Sequence, residues 1–205
     1  MSGAQPTRDE VWAVVPMKSF ARGKSRLQAA LDDASRAALA REMFAHVLSV
    51  VRATPELSGV LVVSDGDDVA ALSTQLGAHV LRDPPDRPTT LARVVDSALA
   101  QLQSRGAAGA LVLMGDLPRI EVADVQQLLA ALRDSDVVLA PDRSGQCTNA
   151  LGLQLAHVHP TSFGQPDSFA QHQRRASELG LRVSVIHNVR IGFDVDTRAE
   201  LEERG

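Results

Sequence analysis

Several charged side chains in this sequence are of the types that carry phosphate chemistry. Lys18, Lys24 and Arg26 lie within nine residues near the N-terminus, directly after the first apolar run. Asp116 and Asp194 each follow a later apolar run. Cationic side chains neutralise phosphate oxygens, and carboxylates are the ligands that Mg²⁺ takes in addition to phosphates. The pattern therefore favours a site at which a basic loop holds phosphates and two carboxylates hold a divalent cation.

The basic loop and Asp116 also have a purely structural interpretation. The basic loop could be a solvated surface, since its Gly-Lys-Ser lacks the upstream glycine of a Walker loop. Asp116 could cap the helix whose first turn carries Glu121 and Asp124. Asp194 has no capping role, because Asp196 or Thr197 is placed to cap the last helix. Both interpretations of the loop and of Asp116 stay open at this point.

The elements that must position these groups alternate between strands and helices. Apolar runs predict strands over 11–16, 59–64, 78–81, 110–114, 136–141, 150–155 and 181–186, and a further apolar stretch that ends at Asp194. Helical spacing and capping residues predict helices over 35–52, 68–76, 121–133 and 169–179, one that begins at Thr89 or Thr90, and one from about 198 to the C-terminus. Ser35 and Ser168 are the predicted caps of two of them, and the aspartates at 65–68 that of a third. The pattern predicts a three-layer α/β sandwich with a mostly parallel sheet.

Asp116 directly follows a strand that the pattern places at the centre of the sheet. The run Ala110 to Met114 reads as a central strand, and Gly115 and Pro118 end it. Open α/β sheets bind ligands at the carboxyl ends of their strands. The strand therefore places the Asp116 carboxylate at the edge where a ligand is expected.

Composition excludes several classes of protein. The 205 residues suffice for one well-buried domain, with 1–10 as a lead-in. A net charge of −4 argues against a nucleic-acid surface, and no run approaches the roughly 18 apolar residues of a membrane span. Cys147 is the single cysteine, which excludes a disulfide framework and fits the cytoplasm.

Several motifs, in this order along the chain, resemble one known family. They are Val15-Pro16-Met17-Lys18, Lys24-Ser25-Arg26-Leu27, Gly115-Asp116-Leu117-Pro118, Ala140-Pro141-Asp142-Arg143 with Thr148-Asn149, Phe163-Gly164 with Ser168-Phe169 and His172, and Asp194-Val195-Asp196-Thr197. The set resembles the CofC-type guanylyltransferases, which have the MobA-like nucleotidyltransferase fold, itself similar to the GT-A fold.

The resemblance implies a reaction and a set of ligands. Such enzymes join the GMP moiety of GTP to 2-phospho-L-lactate, phosphoenolpyruvate or 3-phospho-D-glycerate and release pyrophosphate, for the biosynthesis of the deazaflavin coenzyme F-420. Mg²⁺ is the implied metal, with Mn²⁺ as an alternative. The implied partners are GTP, the phosphorylated acid and a downstream transferase, with the enzyme a monomer or a homodimer.

The resemblance also implies a role for each matching residue. The catalytic residues would be Lys18, Lys24 and Asp116, and the metal ligands Asp116 and Asp194. The nucleotide would contact Pro16, Lys18, Lys24, Arg26, Thr90 and Gly115. The acid substrate would contact Thr148, Asn149, Gly164, Ser168 and His172.

Two departures from the family pattern leave specificity open. The family usually carries Leu-Asn-x-Ala near the guanine, where this chain has Thr89-Thr90-Leu91-Ala92, so the base is open. The loop from Phe163 to Ser168 is one residue longer than usual, so the acid is open too. A GT-A-like glycosyltransferase, which normally has an Asp-x-Asp pair, and a non-enzymatic nucleotide-binding relative remain alternatives.

Overall fold

One seven-stranded sheet organises the chain, and the computed structural model describes it within residues 10–83 and 89–204. Its strands are β1 (Val11–Pro16), β2 (Leu57–Ser64), β3 (His79–Arg82), β4 (Gly109–Leu113), β5 (Val137–Pro141), β6 (Thr148–Gln154) and β7 (Val183–Val185). Their order across the sheet is β3-β2-β1-β4-β6-β5-β7. The predicted lead-in at 1–10 lies outside the described residues except for Glu10.

The sheet is mostly parallel, as predicted, with β6 as the exception. The pairs β1–β2, β1–β4, β2–β3 and β5–β7 are parallel, whereas β6 runs antiparallel to both β4 and β5. Residues 142–147 connect β5 to β6, and so short a connection permits only a hairpin, because a parallel crossover needs a dozen residues or more. The carboxyl ends of β1, β2, β4 and β5 consequently share one edge of the sheet.

Helices cover both faces of the sheet and complete the predicted three layers. They are α1 (Asp33–Ala53), α2 (Asp67–Gln75), α3 (Leu91–Ser104), α4 (Val122–Asp134), α5 (Ser168–Glu178) and α6 (Arg198–Arg204). Ala13 and Val15 of β1 pack into a core with α1, α2 and α4, and Val14 packs into a second core with α3 and α5. None of the described helices is long and apolar enough to cross a membrane.

The predicted caps Ser35 and Ser168 are both wrong, whereas Thr90, one of the two residues at which α3 was predicted to begin, is its cap. Asp32, not Ser35, caps α1, and its carboxylate accepts a hydrogen bond of 2.7 Å from the Ser35 amide. Ser168 is the first residue of α5, and its hydroxyl instead accepts a bond from the Thr148 amide. Thr90 caps α3 through the Arg93 amide.

The predicted strand ending at Asp194 is also absent, since residues 191–196 form neither a strand nor a helix. Phe193 and Val195 are buried in a small third cluster with Leu27, Leu39 and Met43. Each such burial contributes about 1.5–3 kcal/mol. Side-chain packing beside α1, rather than strand pairing, thus holds this segment against the domain.

Candidate active site

A cleft of about 740 Å³ opens at the carboxyl ends of β1, β2 and β4. It brings together residues predicted from distant parts of the sequence: Pro16, Lys18, Lys24, Thr90, Gly115, Asp116 and Gly164. Its wall also includes Arg22, Asp65, Asp83, Gln165 and Asp196. The cleft therefore has the position, the volume and the charged lining that a nucleotide site needs.

Two carboxylates, Asp65 after β2 and Asp68 in the first turn of α2, hold the loop that follows β1. Asp65 accepts a hydrogen bond of 3.1 Å from the Ser19 amide and pairs with Arg22 at 2.7 Å. Asp68 accepts bonds from the Phe20 amide and the Ser19 hydroxyl. The prediction that these aspartates cap α2 is therefore wrong. Gly66 is the N-cap without a side-chain bond, and the side chains of Asp65 and Asp68 brace the basic loop. The local sequence could not reveal contacts that span more than 40 residues.

Lys24 lies at the centre of the site rather than on its surface. Its backbone has φ +53°, a left-handed conformation that is uncommon for a residue with a side chain. Its side chain is only 4 % exposed, and its ammonium group donates hydrogen bonds to Asp116 and, at 3.0 Å, to Asp196. Burial lowers the pKa of Lys24, but the two carboxylates outweigh burial and raise it to about 12. Lys24 is accordingly a fixed positive charge between two carboxylates.

Lys18, in the same loop, differs from Lys24 in its exposure to solvent and in its contacts. It is exposed, it lines the cleft, and it makes no ion pair among the residues that the structure describes. Arg26 is exposed as well, but it pairs with Asp196 at 3.0 Å. Of the three predicted phosphate-binding cations, Lys18 is thus the one whose charge is available to a ligand without breaking a contact.

Asp116 does not cap the following helix. Glu121 and Asp124 form a reciprocal capping box at the start of α4, which leaves the Asp116 carboxylate directed at Lys24. Gly115 keeps the turn close to its neighbours, since a Cβ there would lie 3.2 Å from both Met17 and Phe44. The capping alternative for Asp116 is therefore wrong.

Asp194 lies next to this charge cluster in a different environment. Burial and then the negative charge of Asp116 raise the pKa of Asp194 to about 6, against a hydrogen bond of 3.3 Å from Asn149. Asn149 is itself buried and also donates to the Ile191 carbonyl. Asp194 has little compensating positive charge and lies close to another carboxylate. A divalent cation would therefore stabilise its ionised form.

Asp196 is a site residue that the sequence reasoning missed. We expected it or Thr197 to cap α6, and Thr197 does so by accepting from the Glu200 amide. The Asp196 carboxylate is free for Lys24 and Arg26. The available signal was the Asp-x-Asp spacing of 194 and 196, which in an extended segment offers two carboxylates from one short stretch.

The donor set fits a magnesium ion shared with phosphates. Within the described residues no three His, Cys, Asp or Glu side chains are close enough to hold an ion by themselves. Mg²⁺ rarely uses such a cage, because it is held by one or two carboxylates together with substrate phosphates and water. Asp116, which lines the cleft, and Asp194, which is close enough to feel its charge but does not line the cleft, supply carboxylates of that kind.

Three of the five residues predicted to contact the acid substrate form a buried network behind the cleft. Thr148, Ser168 and His172 are each no more than 3 % exposed. The Ser162 amide donates to Nε2 of His172, so the neutral ring carries its proton on Nδ1 and donates it to the Thr148 hydroxyl at 2.9 Å. Burial lowers the pKa of His172 to about 4, which keeps the ring neutral. Direct contact of these side chains with a substrate stays a prediction.

The network fixes the loop that does face the cleft. His172 holds Ser162 and packs its ring against Phe163 at 4.9 Å between centroids. Gly164 has φ +84°, and a Cβ there would approach Leu91 of α3 to 3.3 Å. A glycine is therefore needed for this turn, which presents backbone groups between α3 and α5.

Comparison with known proteins identifies the family and the relatives that this chain resembles. A family model described as guanylyl transferase, CofC-like, matches residues 11–204. The phosphoenolpyruvate guanylyltransferase of Chloroflexus aurantiacus is 40% identical over 194 residues, which cover 93% of this chain and 92% of that protein. The enzyme of that name from Rubrobacter xylanophilus is 37% identical over 192 residues, covering 93% and 91%.

Solved structures show the same fold at lower identity. A protein from Desulfovibrio desulfuricans G20, assigned as a nucleotide-diphospho-sugar transferase, superposes with a TM-score of 0.78 at 18% identity and covers 94% of this chain and 85% of its own. The synthetase of CMP:2-keto-3-deoxy-manno-octonic acid, complexed with CTP, gives 0.63 at 18% identity, with coverage of 95% and 96%. Glucosyl-3-phosphoglycerate synthase of Mycobacterium tuberculosis, in complex with Mn²⁺ and UDP, gives 0.63 at 13% identity, with coverage of 87% and 70%.

Proposed function

This chain belongs to the family of CofC-like guanylyl transferases, and from that premise we propose that it transfers GMP from GTP to a small phosphorylated three-carbon acid. The acid we propose is phosphoenolpyruvate, because that substrate is in the names of the relatives at 34–40% identity. The observation that carries the proposal is the cleft in which the basic loop, Asp116 and Asp196 meet.

The chemistry we propose is an in-line displacement at the α-phosphorus of GTP. A phosphate oxygen of the acid forms the new bond, and the bond from the α-phosphorus to the oxygen that bridges to the β-phosphate breaks. Pyrophosphate leaves with that electron pair. The attacking phosphate is already mostly ionised at neutral pH, since its second pKa is about 6. No side chain has to remove a proton, so positioning and charge neutralisation are what the protein must supply.

The cations divide this task. Lys18 is exposed in the cleft, so we assign it to the β- and γ-phosphates of the nucleotide. Lys24 is buried between carboxylates, so we propose that its ammonium group lies between the metal-binding carboxylates and the phosphates of the nucleotide. A bound Mg²⁺ would neutralise charge on the phosphates. Asp116 and Asp194 would hold it, and Asp196 would keep Lys24 and Arg26 in place.

The acid would lie on the side of the cleft formed by residues 163–165. Gly164 presents its backbone there, and Gln165 adds an amide side chain to the same wall. Thr148, Ser168 and His172 would act by holding this turn in its left-handed conformation. The product would serve the biosynthesis of coenzyme F-420, as the family resemblance implies.

A two-way substrate panel tests the proposed function. Pyrophosphate release would be measured with GTP, ATP, CTP or UTP against phosphoenolpyruvate, 2-phospho-L-lactate or 3-phospho-D-glycerate, with and without Mg²⁺. We expect release with GTP and phosphoenolpyruvate that requires Mg²⁺ and both substrates. Release that does not depend on an acid, or transfer from a nucleotide-sugar instead, would contradict the proposal.

A further inference from the structure

The two segments that carry the proposed metal carboxylates are tied together outside the cleft. Asp116 lies in the turn after β4, and Asp194 lies in the segment 191–196, which has no strand or helix to hold it. No strand pairing sets the distance between the two carboxylates. A backbone bond at Gly192, the Asn149 side chain and side-chain contacts outside the cleft hold the Asp194 segment instead.

Arg119 provides the first of these contacts. It lies three residues after Asp116, and its guanidinium stacks 3.7 Å from the centre of the Phe193 ring, next to Asp194 in the chain. The Phe193 ring is buried. The Arg119 guanidinium also donates to Glu203 of α6, to the carboxylate at 3.2 Å and to the backbone carbonyl at 2.5 Å. One side chain thus joins the Asp116 turn, the Asp194 segment and the last helix.

Arg143 provides the second contact. It follows β5, its backbone amide donates to the Gly192 carbonyl at 2.8 Å, and both terminal guanidinium nitrogens reach the Glu203 carboxylate at 2.7 Å. Hydrogen bonds from Arg143 and then Arg119 lower the pKa of Glu203 to about 2, so the carboxylate is ionised at neutral pH. Bidentate pairing of this kind fixes direction as well as distance.

The same arginines line a pocket of about 410 Å³ with Arg190, His187 and Asn188. An anion site is the obvious alternative for such a pocket. Each of its three arginines already has a carboxylate partner within the chain, namely Glu203 for Arg119 and Arg143, and Asp124 for Arg190. The charges are thus used internally, which favours a structural role over a ligand site.

We propose that Glu203, through Arg119 and Arg143, is a positioning residue that sets Asp194 opposite Asp116 for metal binding. It does so from outside the cleft and touches neither substrate. The proposal rests on the proposed function, because it concerns the metal site of that reaction. Groups that are hydrogen-bonded to metal ligands typically contribute 10–100-fold to metal affinity. Glu203 acts one contact further from the ligands, so we expect an effect at the lower end of that range.

Neighbouring glutamates of α6 allow a matched test. Glu203→Gln removes the charge that both arginines share, whereas Glu202→Gln removes a charge that pairs only with Arg198 on the same helix, at 2.8 Å. The probe is Mn²⁺ with GTP and without the acid, because phosphates complete the proposed site. Its dissociation constant is measured by electron paramagnetic resonance with the protein in excess over GTP. Thermal unfolding would show that both variants are folded.

We expect Glu203→Gln to weaken Mn²⁺ binding by at least about tenfold and Glu202→Gln to change it by less than about twofold. At saturating Mg²⁺ the KM for GTP should change little, since among the described residues the basic loop has no hydrogen bond or ion pair to Glu203. Arg119→Lys keeps the charge but loses the planar stack, and it should weaken Mn²⁺ binding to an intermediate extent.

Equal Mn²⁺ affinity in the Glu203→Gln and Glu202→Gln proteins would overturn the inference and leave the proposed function standing. A wild-type protein that catalyses GMP transfer but whose Mn²⁺ affinity does not respond to Asp116→Asn would overturn the metal assignment itself. A Glu203→Gln protein that is unfolded at room temperature would move the test to Arg119→Lys, for which unchanged Mn²⁺ affinity is the contradicting result.

Discussion

Asp116→Asn is expected to abolish Mg²⁺-dependent pyrophosphate release while the protein remains folded, with a loss of about three orders of magnitude or more. The amide keeps the shape of the side chain and one acceptor oxygen, but it cannot neutralise a divalent cation. Asp194→Asn should lose activity to a similar extent. The double variant should be little worse than either single variant, because two ligands of one metal act as a unit.

Asp116→Asn and Asp194→Asn should differ in stability, and this difference separates the loss of a metal ligand from a general folding defect. In the folded protein the pKa of Asp194 is about 6, above its ordinary value of 3.8. Between these two pH values the unfolded chain loses this proton and the folded chain retains it, so Asp194 lowers stability as the pH rises to about 6, and the cost then stays constant. At pH 7.5 and without metal, Asp194→Asn should therefore stabilise the protein, by up to about 3 kcal/mol.

Denaturant unfolding of the metal-free proteins at pH 7.5 and pH 4.5 provides the measurement. Asp134→Asn is the control, because that carboxylate is exposed at the end of α4 and makes no side-chain hydrogen bond within the described residues. It should leave activity and stability unchanged. An Asp194→Asn protein that is inactive and equally destabilised at both pH values would show a packing defect and not the loss of a metal ligand.

Lys24→Met is expected to destabilise the metal-free protein and, at the same time, to raise the KM for GTP and lower kcat. It removes the cation that lies between Asp116 and Asp196 and leaves the two carboxylates facing each other. Loss of one partner from a largely buried ion pair costs about 3 kcal/mol. Because a divalent cation would neutralise Asp116, one of these two carboxylates, Mg²⁺ should restore more stability to Lys24→Met than it adds to the wild type.

Lys18→Met is the matched control for this result. It makes the same chemical change in the same loop, but at an exposed side chain with no ion pair among the described residues. It should raise the KM for GTP and leave the thermal midpoint unchanged, with or without Mg²⁺. If Lys24→Met and Lys18→Met behave alike in both assays, Lys24 is not the organising charge of the site. If both have wild-type kinetics, the loop is a solvated basic surface.

The architecture and the edge that carries the site could be predicted because they depend on local sequence. Alternating apolar runs and helical periodicity are enough to indicate a three-layer sheet, and the glycine and proline around Asp116 are enough to place it at a strand end. The identity of the helix caps was less predictable, since Asp32 and Ser35 are both good capping residues and only the chain's path decides between them.

The arrangement of the charges could not be predicted, because it depends on contacts between distant residues. The ion pair of Lys24 with Asp196 joins positions 172 residues apart. Read alone, Asp196 precedes a threonine at the start of a helix and looks like a cap. His172 and Thr148 likewise have no sequence signal for each other, although their hydrogen bond decides that both side chains face inward.

The central claim is that Asp116 and Asp194 hold one divalent cation at the edge of the cleft. An anomalous difference map from a crystal of the protein with GTP and Mn²⁺ tests it most directly. We expect a peak about 2.1 Å from a carboxylate oxygen of each residue, with GTP phosphate oxygens completing the coordination. A Mn²⁺ peak bound to the phosphates with the Asp194 carboxylate out of reach, or carboxylates of Asp116 and Asp194 separated by well beyond about 10 Å, would contradict the account.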